Sequence, residues 1–168
     1  GTPPRFAEIH DTGGWGVYVV EGQHIDDAGC DLRELNEDIE SQIREAMERS
    51  ELILFVIDAQ SGITPLDETV AKLLRRSGAA EKTIVVANKV DSHSWEAHGH
   101  EGAALSLGEV HCVSSTSGYG IGSLSDTLWE HLGEVGEAKQ RADELRLSIV
   151  GKRNAGKSCF VNALAGEN

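Results

Sequence analysis

Basic residues are scarce in this chain. Fifteen Lys and Arg stand against 28 Asp and Glu, a formal net charge of −13. So acidic a stretch is not built to grip a phosphate backbone by itself, which sets DNA aside as a partner. Cysteine is also rare: Cys30, Cys112 and Cys159 are odd in number and far apart. No disulfide framework follows from them, and a reducing cytoplasm suits them best. No apolar run approaches the roughly 20 residues of a membrane span, and no signal-peptide pattern opens the chain. A membrane partner is therefore not expected. The chain starts at Gly1 rather than Met and stops at Asn168 directly after a helical pattern, so a piece of a longer protein is expected. What is present is 168 residues with 39% apolar content, enough for the core of one ordinary domain.

Apolar runs alternate with amphipathic stretches. Arg5–His10 reads as a short strand running into Asp11. Trp15 to about Arg33 is rich in Gly and Asp and lacks periodicity, which predicts a long mobile loop. Leu35, Ile39, Ile43 and Met47 recur every four residues, one face of a helix. Glu51–Ile57 is a short apolar run of the kind a buried parallel strand shows. Thr64 then caps a helix with Pro65 at its first position, Asp67 and Glu68 complement the dipole, and the helix stops near Ser77-Gly78. Lys82–Ala87, Glu109–Val113 and Leu145–Val150 read as further strands. His93–Leu107 is mixed, with a short helix near its end. Ile121, Leu124, Leu128 and Leu132 mark another helix, and Cys159–Ala165 opens a last one. The stretch Gly133–Glu144 is acidic and reads as a linker or a fraying helix end. Strands alternating with helices predict an α/β fold with a mostly parallel sheet and helices on both faces.

The sharpest motif is Gly151-Lys152-Arg153-Asn154-Ala155-Gly156-Lys157-Ser158, a full G-x-x-x-x-G-K-[ST] between a predicted strand and a predicted helix. Its glycines let backbone N–H groups turn inward around phosphate oxygens, and the helix N-terminus adds positive potential. Lys157 is placed to reach the β- and γ-phosphates and Ser158 to bind Mg²⁺ through its hydroxyl. The N–H of Cys159 would face the α-phosphate, so its thiol needs no reactivity.

Asn88-Lys89-Val90-Asp91 stands at the end of a predicted strand, the edge where open α/β sheets bind ligands. The Asp91 carboxylate can accept hydrogen bonds from N1–H and the exocyclic amine of guanine. Adenine offers no such pair of donors, so this residue type selects GTP over ATP. Ser114-Ser115-Thr116-Ser117-Gly118 follows the next strand and resembles the S-A-x-x-G element that supports a guanine ring. Asp11-Thr12-Gly13-Gly14 is D-x-x-G after a strand. There Asp11 would help hold Mg²⁺, the Gly14 N–H would sense the γ-phosphate, and the following loop would switch. Each short motif alone is weak, but together they fall at successive strand ends. His93, His98, His100, His111 and Cys112 match no zinc spacing, and a solvated loop is the plainer reading.

The segments around DTGGW, LILFVIDAQSGITPLDETVAKLLRR, VVANKVD and VSSTSGYGIGSL resemble the first GTPase domain of the Der/EngA family. LRLSIVGKRNAGKSCFVNALAGEN resembles the start of that family's second GTPase domain. The resemblance implies a P-loop GTPase fold, GTP and GDP as ligands with Mg²⁺, hydrolysis of GTP, and assembly of the large ribosomal subunit through parts mostly outside this stretch. It implies an organisation of 1–132 as a first domain lacking its own phosphate loop, switch I and first two strands. Residues 133–144 would be the acidic linker, and 145–168 the start of a second domain. It further implies catalytic roles for Lys157 and Asn154, the latter associated with K⁺. Family phosphate loops usually read GRPNVGKS; Arg153 and Ala155 depart from that pattern without removing a phosphate contact. Trp15 stands where Ras-like enzymes place a glutamine and reads as a packing residue.

The strand before the phosphate loop lies centrally in this fold. Leu145–Val150 is therefore the candidate to sit between the strand ending at Asp11 and the strand ending at Asp58. In that arrangement Gly151–Ser158 would meet Asp11, Asn88 and Ser115 in one composite site. Two alternatives stay open at this point: a nucleotide-binding or interaction module without turnover, and a naturally circularly permuted GTPase.

Overall fold

A computed structural model describes residues 6–11, 17–20, 23–26, 40–41, 43–46, 48–138, 144–152 and 154–165. Its strands are β1 (Phe6–Asp11), β2 (Val17–Val20), β3 (Gln23–Asp26), β4 (Leu52–Asp58), β5 (Thr83–Asn88), β6 (Val110–Cys112) and β7 (Glu144–Val150). Five of them form one sheet in the order β1-β7-β4-β5-β6, and every pairing in it is parallel. The last strand in sequence thus lies between the first and the fourth. Phe6 to Asp11 pair with Glu144 to Ile149 on one side of β7, and Leu52 to Phe55 pair with Leu147 to Val150 on the other.

Burial explains why the central strands are so apolar. Ile53, Phe55 and Ile57 of β4 point into one core, together with Val85, Ala87, Val70, Leu74 and Ile43. Leu52, Leu54 and Val56 alternate into a second core with Ile84, Val86, Leu124, Leu128, Leu147, Ile149 and Phe160. A strand covered on both faces has no solvent side on which to place polar residues. The helix Pro65–Arg76 covers the first face, while Ile121–Ala138 and Lys157–Ala165 contribute to the second. Residues 40–41, 43–46 and 48–49 are helical, with Ile43 and Ala46 buried. The helix positions expected at Leu35, Ile39 and Met47 lie outside the described residues.

Local chemistry sets the ends of the Pro65–Arg76 helix. The Thr64 hydroxyl accepts from the Asp67 N–H at 3.3 Å, and the Asp67 carboxylate accepts from the Thr64 N–H at 2.9 Å, a reciprocal capping box. Asp67, expected to act only on the helix dipole, has a buried side chain whose Oδ1 has no hydrogen-bond partner among the described residues. Burial pushes the Asp67 carboxyl above the ordinary aspartate value.

Two expectations need correction. Trp15 to Arg33 is not one aperiodic loop, because β2 and β3 form an antiparallel hairpin pairing Val17 with Asp26 and Val20 with Gln23. Two arms of four residues are too short to show a strong period, and Gln23–Asp26 alternates only weakly. The His93–Leu107 stretch, expected to be mixed with a short helix near its end, is helical almost throughout, as His93–Trp95, Glu96–His100 and Glu101–Leu105, so His93, His98 and His100 do not lie in a loop. The helix Ile121–Ala138 also takes in residues 133–138 of the acidic stretch.

A clasp holds β7 at its N-terminal end. Glu51 donates its N–H to the Arg146 carbonyl at 2.9 Å, and its carboxylate accepts from the Arg146 N–H and guanidinium, both at 2.9 Å. Burial raises the Glu51 carboxyl, the Arg146 hydrogen bonds and charge outweigh it, and the net displacement is downward. A carboxylate with a lowered folded pKa contributes stability above its unfolded value and loses it as pH falls. Arg146→Ala is therefore expected to cost up to about 1 kcal/mol at pH 7. In urea melts at stepped pH, that difference should shrink as pH drops below the ordinary glutamate range. A gap unchanged at pH 3 would mean the clasp acts without its charge.

Candidate functional site

All five sheet strands run the same way, so their C-terminal ends and the loops that follow share one edge. Asp11 ends β1, the Gly151 loop follows β7, Asp58 ends β4, Asn88 ends β5, and Ser114 lies just beyond β6. Ligands of open α/β sheets sit at this edge, beside the loops of the central strands.

The loop after β7 is built from backbone that demands glycine at two positions. Gly151 has φ +152°, and a Cβ there would collide with the Val56 carbonyl oxygen. Gly156 has φ +83°, and a Cβ would come within 2.5 Å of the Asn88 Nδ2. Asn154 sits at φ +63°, a left-handed conformation that Asn tolerates better than most residues. The helix Lys157–Ala165 then starts, with the Phe160 N–H bonded to the Gly156 carbonyl at 2.8 Å. Lys157 is buried, and its ammonium donates to the Lys152 carbonyl at 3.2 Å, folding it back over the loop. Ala155 is buried, whereas Asn154, Ser158 and Cys159 are exposed. Arg153 lies outside the described residues.

Asn88 joins this loop to the other motifs. Its buried amide donates to the Ala155 carbonyl at 3.0 Å and accepts from the Ser115 N–H at 3.1 Å. One side chain thus ties the loop after β7 to the loop after β6, across residues far apart in sequence. Asn88→Ala leaves a carbonyl and an N–H without that partner, at about 1–3 kcal/mol for the buried group. The expected outcome is a clearly lower denaturant midpoint with an unchanged slope; an unchanged midpoint would show that the bridge is not made.

Asp91 is exposed at the mouth of the same edge. Its Oδ1 accepts from the Ser114 hydroxyl at 2.5 Å and its Oδ2 from the Gln60 amide at 3.0 Å. The Lys89 ammonium reaches the Asp58 carboxylate at 2.8 Å. Burial works to raise the Asp58 carboxyl, but bonds from Lys89 and Ser61 outweigh it and hold the group below the usual aspartate range. Asp58 also accepts from the backbone N–H of Gln60 at 2.9 Å and of Ser61 at 3.2 Å.

The structure therefore brings together Gly151, Lys152, Asn154, Ala155, Gly156, Lys157, Ser158 and Cys159 with Asn88, Lys89, Asp91, Ser114 and Ser115. Asp11 pairs with Ile149, two residues before the loop. Thr12, Gly13, Gly14 and Trp15 lie outside the described residues. Sequence reasoning gave no role to Asp58 or Gln60. Asp58 carried a faint signal as the one charge closing an apolar run; Gln60 carried none. The histidines expected in a loop are engaged locally, His93 with Glu96 at 2.9 Å and His98 with Glu101 at 3.2 Å. The Tyr119 hydroxyl also bonds Glu96, and the bonds from Tyr119 and His93 lower that carboxyl's pKa.

A family model described as a 50S ribosome-binding GTPase matches residues 5–89. The chain belongs to that GTPase family. Among its relatives, the GTPase Der of Porphyromonas gingivalis is 40% identical over 165 residues, covering 98% of this chain and 35% of the relative. The GTPase Der of Bacteroides fragilis is 39% identical over 169 residues, covering 97% and 34%. That of Streptococcus pyogenes is 34% identical over 163 residues, covering 95% and 36%. The Der resemblance read from the motifs thus holds over nearly the whole chain, which spans about a third of the length of these relatives. No helix among the described residues is long and apolar enough to cross a membrane.

Proposed function

We propose that this chain binds GTP and GDP at the edge just described and hydrolyses GTP as part of a larger ribosome-assembly GTPase. The observation that carries the reading is the Asn88 bridge, which ties the loop after β7 to the Ser114–Ser115 turn, where the Ser114 hydroxyl bonds Asp91, the group suited to guanine. The loop amides and the start of the Lys157–Ala165 helix would hold the phosphates, with Lys157 swinging from the Lys152 carbonyl onto them. Lys89 and the Ser114–Ser115 turn would flank the base.

A magnesium ion fits the donors available. Ser158 offers an exposed hydroxyl at the helix start, Asp11 stands at the end of the neighbouring strand, and hard oxygen ligands of this kind suit Mg²⁺. When bound, Mg²⁺ would neutralise charge developing on the phosphates. Asn154, exposed in the loop, is the residue proposed for K⁺.

We place residues 1–132 and 145–168 in consecutive GTPase domains of one longer protein, joined by 133–144, acting in the cytoplasm on the large ribosomal subunit. On this reading β7 fills the place of an equivalent strand. The coding sequence upstream of Gly1 tests the arrangement: a second G-x-x-x-x-G-K-[ST] is expected there, and its absence would favour a permuted GTPase.

Titration of labelled GDP against labelled ADP tests the function. GDP should bind and ADP should not. Equal binding would defeat the guanine assignment, and no binding of either would defeat the site. Phosphate release from GTP then separates an enzyme from a binder without turnover.

A further inference from the structure

We infer that Gln60 is a specificity-positioning residue, holding the Asp91 carboxylate in the orientation that reads guanine. The inference rests on the nucleotide site proposed above and names a residue that none of its motifs contains.

Gln60 follows β4 and faces the loop after β5. Its Nε2 donates to the Lys89 carbonyl and to the Asp91 Oδ2, both at 3.0 Å. Both partners are acceptors only, so the amide orientation is forced: the NH₂ group, not the oxygen, must face them. The Gln60 backbone is fixed in turn, because its N–H bonds the Asp58 carboxylate and Asp58 is paired with Lys89. Lys89 itself has φ +68°, a left-handed conformation, and its carbonyl meets the Gln60 amide. A closed frame results: Asp58 to Lys89, Lys89 to Gln60, Gln60 to Asp91.

Lone-pair accounting gives the frame a purpose. A carboxylate offers about four acceptor positions, two on each oxygen. Ser114 takes one on Oδ1 and Gln60 takes one on Oδ2. Among the described residues one position then remains on each oxygen, and two parallel donors, N1–H and the 2-amino group of guanine, need that pair. A carboxylate held by Ser114 alone could turn about its Cβ–Cγ bond. A single donor can follow such a turn, but two parallel donors cannot. Gln60 should therefore matter for the second guanine hydrogen bond more than for the first.

The test compares GDP with inosine diphosphate, which lacks the 2-amino group, and with ADP. The full chain is used as wild type, Gln60→Ala and Gln60→Met, the last keeping length without donors. GDP affinity is expected to fall on the order of fivefold in both variants, one hydrogen bond's worth. Inosine diphosphate should change less than about twofold, so the ratio between the two contracts. Equal losses for both nucleotides, no loss for either, or failure of both variants to fold would overturn the positioning role. A wild type that prefers GDP over ADP, with Gln60→Met unchanged, removes only Gln60. A wild type without that preference removes the proposed function, and this role with it.

Discussion

Lys157→Ala is expected to weaken GDP binding by about a hundredfold or more while leaving the nucleotide-free chain folded. The side chain is buried at the first position of a helix, with its ammonium turned back onto the Lys152 carbonyl. A cation beside the positive end of a helix is poorly placed until an anion arrives. Removing it should not destabilise the empty chain, and alanine is the better helix former. In the complex the same ammonium would be a charged donor shielded from water. Truncating one member of such a pair costs roughly 2–5 kcal/mol, and about 1.4 kcal/mol is tenfold in Kd. Melting with and without nucleotide reads both halves of the expectation. At a GDP concentration of about 100 times the wild-type Kd the wild type gains roughly 2.7 kcal/mol, whereas a variant weakened about a hundredfold gains only about 0.4 kcal/mol at that concentration. A variant stabilised by GDP as strongly as wild type would show that the phosphates are bound elsewhere.

Why was this site legible in the sequence while its frame was not? Gly151 and Gly156 are dictated by backbone geometry, one against the Val56 carbonyl and one against the Asn88 amide, so their spacing survives as a pattern. β4 and β5 were legible because burial on both faces leaves a continuous apolar run. Asn88 and Asp91 could be picked out as a motif. That Asn88 bonds across 67 residues to Ala155 is a fact of topology, invisible to any local window. Gln60 lies further out of reach, since a loop glutamine meeting a carboxylate 31 residues away has neither period nor motif. The hairpin of β2 and β3 was missed for the opposite reason: short arms with a polar second strand look like a loop until they pair. The position of β7 could be inferred only from topology, as the strand able to stand between Asp11 and Asp58.

That position makes the largest structural prediction: a chain ending at Asp143 should not fold cooperatively. Removing 144–168 takes away the strand that β1 pairs with along its whole length and opens one edge of β4. The backbone of β1 and the freed edge of the central strand β4 then lack their partners. The second core loses Leu147, Ile149 and Phe160, each fully buried, and Ala155 with them. At about 1.5–3 kcal/mol for each large apolar side chain, the three alone account for roughly 5–9 kcal/mol. A domain of this size has only about 5–15 kcal/mol in total. Circular dichroism should show reduced structure and a broad, shallow melt for the truncated chain. Adding a peptide of residues 144–168 is expected to restore a sigmoidal transition, because it supplies β7 with its loop and the Lys157–Ala165 helix as one unit. A truncated chain that melts as sharply and at the same temperature as the full one would place β7 outside the core. The Asn88 bridge and the proposed nucleotide site would then lose their foundation, since Ala155 reaches Asn88 only while β7 stands between β1 and β4.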